Sequence, residues 1–148
     1  MNPGLTSSEL RAARKLDDEA LAQRAENTGL DAFLAHWERL PLFASQTRLT
    51  PAVLAEQATI RRRNTASGLA SSLRTCGLAQ MPDYWEHLAT LNHPIRLVVG
   101  QHDQRFIEIA QHMSATLPNA SVELVPGCGH NVPLEAPAAL AALIQASL

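Results

Sequence analysis

The sequence predicts an α/β chain, helical in its first part and strand–helix–strand–helix in its second, and three observations carry that prediction. Up to about residue 91 the apolar residues recur at helical spacing and no run reads as a strand. At residue 94 the texture changes. Pro94-Ile95-Arg96-Leu97-Val98-Val99-Gly100 is a near-continuous apolar run closed by glycine, the pattern of a strand buried on both faces of a parallel sheet. One helix length later a second strand is expected over Ser121–Val125, which makes the repeating unit of a parallel sheet. Two regions are therefore expected, a helical one over residues 1–91 and a β-α-β-α one over 92–148.

Taken in order, Asn2-Pro3-Gly4 reads as a turn, and Thr6 and Glu9 stand at capping-box spacing before a helix over about Ser7 to Asn27. Asn27-Thr28-Gly29 breaks it. A second helix, about Leu30 to Arg39, lines up Leu30, Phe33, Leu34 and Trp37 on one face, and Pro41 stops it. Thr50-Pro51 is an N-cap followed by proline at the first helical position, opening a third helix to about Arg63. After a break at Asn64 to Gly68, further helices are expected over about Leu69 to Leu78 and Asp83 to Leu91. In the second region, Gln101–Gln104 is expected as a loop, Arg105–Leu117 as a helix, Pro126–His130 as a glycine-rich loop and Pro133–Ser147 as one last helix. Two strands are few for an open sheet, because both are edges. Sheet partners are expected outside this stretch of sequence.

With 148 residues, 46% of them hydrophobic and 18% charged, the chain has the balance of one ordinary globular domain. A formal net charge of -2 argues against nucleic-acid binding, which favours a basic excess. Lysine occurs once, at Lys15, so the positive charge is almost all arginine, whose planar fork suits carboxylates. Cys76 and Cys128 form no metal or redox motif and read as free thiols. No signal peptide or membrane span is evident, and a cytoplasmic location is expected. The six histidines show no paired ligand spacing, and no phosphate loop or nucleotide fingerprint is present, so neither metal nor cofactor is expected.

The residues that suggest chemistry are Asp103 and His130. Each follows an expected strand by a few residues, so both lie in loops at the carboxyl ends of neighbouring parallel strands, where α/β sheets place their sites. Adjacent strands run about 5 Å apart, so the two side chains can meet. The carboxylate can fix the imidazole tautomer and leave the other nitrogen free as a base. Taken singly, a loop aspartate is ordinarily a turn residue and a lone histidine ordinarily solvated; the joint pattern of strand, Gly, Asp, helix, strand, small-residue loop and His is far more specific.

That pattern, with Val98-Val99-Gly100-Gln101-His102-Asp103 and Gly127-Cys128-Gly129-His130 followed by Glu135, resembles the end of an α/β-hydrolase, in which the acid follows one late strand and the histidine the next. The resemblance implies the C-terminal portion of an α/β-hydrolase fold, a helical cap or lid followed by the last two strand–helix units, with Asp103 and His130 catalytic. Within the family, Asn2-Pro3-Gly4-Leu5, Leu10-Arg11-Ala12-Ala13-Arg14, Trp37 to Ser45, and Arg63 with Asn64 and Gly68 resemble one subgroup, the 2-succinyl-6-hydroxy-2,4-cyclohexadiene-1-carboxylate synthases of the menaquinone pathway. That resemblance implies a triad used as a base to expel pyruvate without hydrolysis. It also implies a small substrate bearing several carboxylates, cap arginines at Arg14 and Arg63 that hold them, and a cap aromatic at Trp37. By their residue types alone, Arg14 and Arg63 read first as solvated helix-face charges and Trp37 as core.

No serine of the chain sits in a Gly-x-Ser-x-Gly elbow, and Cys128, between Gly127 and Gly129, reads as a small residue that lets the histidine loop turn. The nucleophile and the first strands are therefore expected from a missing N-terminal half, in the same or a separate chain. Without them the stretch is expected to be a poor catalyst and to fold poorly alone. An esterase or C–C hydrolase of the same fold, and a non-catalytic remnant or interaction module, remain the competing readings.

Overall fold

The computed structural model describes residues 2–146 of the chain. Its elements are helices α1 (Ser8–Thr28), α2 (Leu30–Trp37), α3 (Pro51–Arg61), α4 (Ala66–Cys76), α5 (Gln104–Thr116), α6 (Val132–Glu135) and α7 (Pro137–Gln145), strands β1 (Ile95–Gly100) and β2 (Ala120–Val125), and 3₁₀ segments at Pro41–Arg48 and Glu86–Thr90. None of the described helices is long and apolar enough to cross a membrane. The chain packs as two units. One contains residues 3–39 and 50–85; the other contains residue 2, residues 40–49 and residues 86–146. The 3₁₀ segment therefore packs with the strands, although it lies within the stretch 1–91 expected as helical.

In the helical unit, Ser7 caps α1 by accepting from the Leu10 N–H at 3.1 Å, so the cap is Ser7 rather than the Thr6 that the spacing suggested. Gly29 ends the helix with φ 79°, a conformation that L side chains rarely adopt, and its N–H donates to the Ala25 carbonyl. Ala25, Phe33 and Leu34 form the buried core, with Leu21, Leu30, Trp37, Leu69 and Leu73 packed against them. Burial of a phenylalanine at such a site stabilises by roughly 3–5 kcal/mol as judged by truncation to alanine. Helix α4 begins three residues earlier than the periodicity suggests, because Thr65 accepts from the Gly68 N–H and starts it inside the expected break. The helix expected over Asp83–Leu91 shrinks to one 3₁₀ turn. Ahead of that turn, Tyr84 N–H donates to the Pro3 carbonyl and Trp85 N–H to the Asp83 carboxylate, while the Trp85 indole N–H donates to the Gly4 carbonyl.

In the other unit β1 and β2 pair in parallel from Ile95↔Ala120 to Gly100↔Val125, joined by α5. Among the described residues these are the only two strands, so β1 is half-buried rather than enclosed on both faces, with Arg96 on its exposed side and Leu124 of β2 50% exposed. Helix α5 buries Ile107, Ala110 and Met113 at helical spacing. Val125, Cys128 and Val132 form a second core with Val98, Ala136, Leu140 and Leu143. The last helix divides at Ala136, which takes φ -143° and ψ 55° because the residue before Pro137 is driven out of the helical region. The expected end of that helix at Ser147 lies outside the described residues.

Candidate active site

Asp103 sits just beyond β1 as the N-cap of α5. Its Oδ1 accepts from the Phe106 N–H at 3.3 Å and its Oδ2 lies 2.6 Å from His130 Nδ1. The side chain is almost wholly buried, whereas the imidazole of His130 is about a third exposed. An ionised carboxylate only accepts, so the short contact assigns the proton to Nδ1 and leaves Nε2 as the basic nitrogen. Phe106 packs on the imidazole with ring centroids 4.8 Å apart, and Phe43 lies edge-on at 6.4 Å. Among the described residues Nε2 has no hydrogen-bond partner.

The two loops meet because the sheet register continues past the strands. Gln101 N–H donates to the Val125 carbonyl, His102 N–H to the Cys128 carbonyl, and Gly127 N–H to the Gln101 side-chain oxygen. A side chain at Gly100 would collide with the carbonyl oxygens of Gly129 and Cys128, so glycine there is what lets the histidine loop lie against β1. Glu135 then grips that loop on both sides of His130, accepting from the Gly129 N–H at 2.7 Å and the Asn131 N–H at 3.1 Å. Asn131 caps α6 through the Leu134 N–H. Cys128 is buried, and desolvation followed by the Glu135 charge pushes its thiol upward, away from the thiolate a nucleophile needs.

Asp103 and His130 line a cleft of about 420 Å³ together with His102, Ser45, Arg48 and others of the Pro41–Arg48 segment. Ser45 is not a nucleophile partner here. Its Oγ is buried against Gly129 and has no hydrogen bond among the described residues. The described residues hold no group of three or more His, Cys, Asp or Glu side chains that could bind a metal ion.

The other three candidates belong to the helical unit, each with its own surroundings. Arg14 donates through Nε to the buried carboxylate of Asp18 at 2.8 Å. Arg63 is exposed in the turn that follows α3. Trp37 stacks on Phe33 with centroids 5.9 Å apart and lines a cavity of about 230 Å³ with Arg61, not Arg63, while Arg61 also pairs with Glu38. Sequence reasoning missed Arg48 and the two phenylalanines on His130, since nothing local distinguishes them. Glu135 was visible through its fixed spacing from His130.

The family model described as "Alpha/beta hydrolase family" matches residues 2–143. The chain belongs to the alpha/beta hydrolase family. Within it, a Bacillus subtilis protein assigned as a 2-succinyl-6-hydroxy-2,4-cyclohexadiene-1-carboxylate synthase is 37% identical over 135 residues, covering 91% of this chain and 49% of that protein. The structure of MenH from S. aureus superposes with a TM-score of 0.94 at 29% identity, covering 98% of this chain and 55% of that one. A thermophilic esterase from Thermogutta terrifontis, with malate bound, gives 0.74 at 26% identity, covering 98% and 52%. This hydrolase-family chain thus spans about half the length of the relatives it matches, and the expected fold, the C-terminal portion of the α/β-hydrolase, is the fold found.

Proposed function

We propose that the chain carries the acid and the base of a Ser-His-Asp triad in a menaquinone-pathway lyase that expels pyruvate from a multi-carboxylate cyclohexene. The observation that carries this reading is the Asp103–His130 pair, with Nδ1 held at 2.6 Å and the imidazole lining the cleft. The serine is assigned to sequence outside these 148 residues, a reading supported by relatives about twice as long.

In this mechanism His130 Nε2 takes the serine hydroxyl proton, and the activated oxygen removes a proton from a ring carbon of the substrate. The freed electron pair shifts through the ring and breaks the bond between a ring carbon and the oxygen of the enolpyruvyl group. The departing enolate gains a proton relayed through serine and His130, and leaves as pyruvate; no water is consumed. Asp103 stabilises the imidazolium formed in between. Arg14 and Arg63 hold substrate carboxylates and Trp37 walls the ring. Arg14 supports this by spending only Nε on Asp18, which leaves its terminal nitrogens for a ligand.

The test is pyruvate release by the protein made from its complete gene, read by coupled reduction to lactate. Stoichiometric pyruvate that disappears in His130→Ala is the expected result. The second reading, an esterase, is favoured by the fold likeness to the Thermogutta enzyme. Hydrolysis of aryl esters with no pyruvate release would establish it in place of the first.

A further inference from the structure

We infer that Arg48 is a specificity-determining residue of the Asp103–His130 cleft, where its guanidinium receives a carboxylate of the substrate. The inference rests on the lyase reading for the identity of the substrate, but it requires only an anionic ligand.

Arg48 ends the 3₁₀ segment whose proline opens it, and it lines the cleft beside His102, Asp103 and His130. Among the described residues it is the one Lys or Arg that does so. Other arginines of the chain reach carboxylates: Arg14 to Asp18, Arg61 to Glu38, Arg62 to Asp31, and Arg74 to Glu19 and Glu26. Arg48 reaches none among the described residues. Its sole hydrogen-bond partner among them is the ring Nε2 of His102, at a long 3.4 Å. Both oxygens of Asp103, the carboxylate that shares the cleft, already accept hydrogen bonds, one from the Phe106 N–H and the other from His130. The cleft therefore presents an exposed guanidinium with most of its five donors unused, in the same cleft as the candidate base. A guanidinium so placed selects an oxyanion that it can hold with two parallel hydrogen bonds.

The experiment uses the protein from the complete gene, with succinate as a dicarboxylate probe followed by calorimetry. Arg48→Ala should weaken succinate binding about tenfold, as the loss of a charge-assisted pair would. Arg48→Lys should recover part of it. Arg24→Ala, an exposed charge on α1, should change it by less than about twofold at physiological salt. With the multi-carboxylate substrate, KM should rise by a factor like that for succinate while kcat moves much less, a split that a merely structural role would not produce. Arg48→Ala binding succinate like the parent, or losing no more than Arg24→Ala, overturns the assignment, as does a parent protein that binds no succinate. Absence of pyruvate release by the parent sinks the lyase reading instead, and leaves the succinate comparison to decide Arg48 by itself.

Discussion

Asp103 serves two partners with two oxygens, so a change at this one residue separates geometry from tautomer. In Asp103→Asn the helix cap can survive, since asparagine caps as well as aspartate. The amide can also turn its NH₂ toward His130, and the imidazole then loses the partner that fixes Nδ1–H. Activity of the complete protein should fall by about 10³-fold or more, with thermal stability within roughly 1 kcal/mol of the parent. Steady-state kinetics beside a melting curve checks both; a variant retaining a tenth of its activity would remove Asp103 from the triad. The cysteines offer a second residue-scale test. Cys76 is exposed, while Cys128 is buried with its thiol pushed up. A disulfide-exchange reagent should therefore label one thiol in the folded chain and two in denaturant.

Between elements, the hydrogen bonds that matter are those gripping the histidine loop. Glu135 accepts two N–H groups flanking His130 from a helix of only four residues. Glu135→Ala leaves both donors without an acceptor and should cost about 2 kcal/mol, with a loss of activity as His130 loosens. Glu135→Gln keeps one acceptor oxygen and should fall between, a ranking that denaturant midpoints and rates should share. In the helical unit, Arg74 of α4 bridges Glu19 and Glu26 of α1. Its hydrogen bonds, helped by Gln23, hold the Glu19 carboxyl down to about 2 against an ordinary 4.5, and Arg74 holds Glu26 down as well. Because these folded-state values are depressed, the stability they supply is complete above pH 4.5 and is lost as pH falls toward 2. Arg74→Met should unfold more easily than the parent at pH 6, and the gap should close across that window. Urea midpoints at several pH values measure it; salt should narrow the gap, because the groups are largely exposed.

At the largest scale, the sheet of the strand-bearing unit has two strands among the described residues, with Leu124 half exposed. An open pair of strands with apolar faces is a template for further pairing. On the proposed reading, the 148 residues expressed by themselves should bind a hydrophobic dye and associate at micromolar concentration, and a longer protein that carries the serine should do neither. An antibody against residues 103–135 should detect a band well above 16.0 kDa in source cells. A band at 16.0 kDa from a dye-silent monomer would sink the assignment of the serine to sequence outside the chain.

Much of this was already legible in the order of residues. The parallel strand pair, the placement of Asp103 and His130 after it, and the glycine, histidine and glutamate spacing follow from local chemistry: strand periodicity, the rim rule for α/β sheets and fixed loop lengths. The family resemblance then extended that reading to the fold. Elements differed where the local pattern was weak. The helix expected at Asp83–Leu91 is only the 3₁₀ turn Glu86–Thr90, with Tyr84 and Trp85 reaching Pro3 and Gly4, some eighty residues away, and the Pro41–Arg48 segment carried no periodicity to announce it. Contacts decided what sequence left open, namely that Asp103 and His130 touch, that Phe106 and Phe43 brace the imidazole, and that Arg48 joins their cleft. The sequence by itself determined which residues could do chemistry and in which loops, because those are properties of neighbours along the chain. Only the tertiary structure decided which of them meet, because hydrogen-bond partners and buried space are set by residues far apart in sequence.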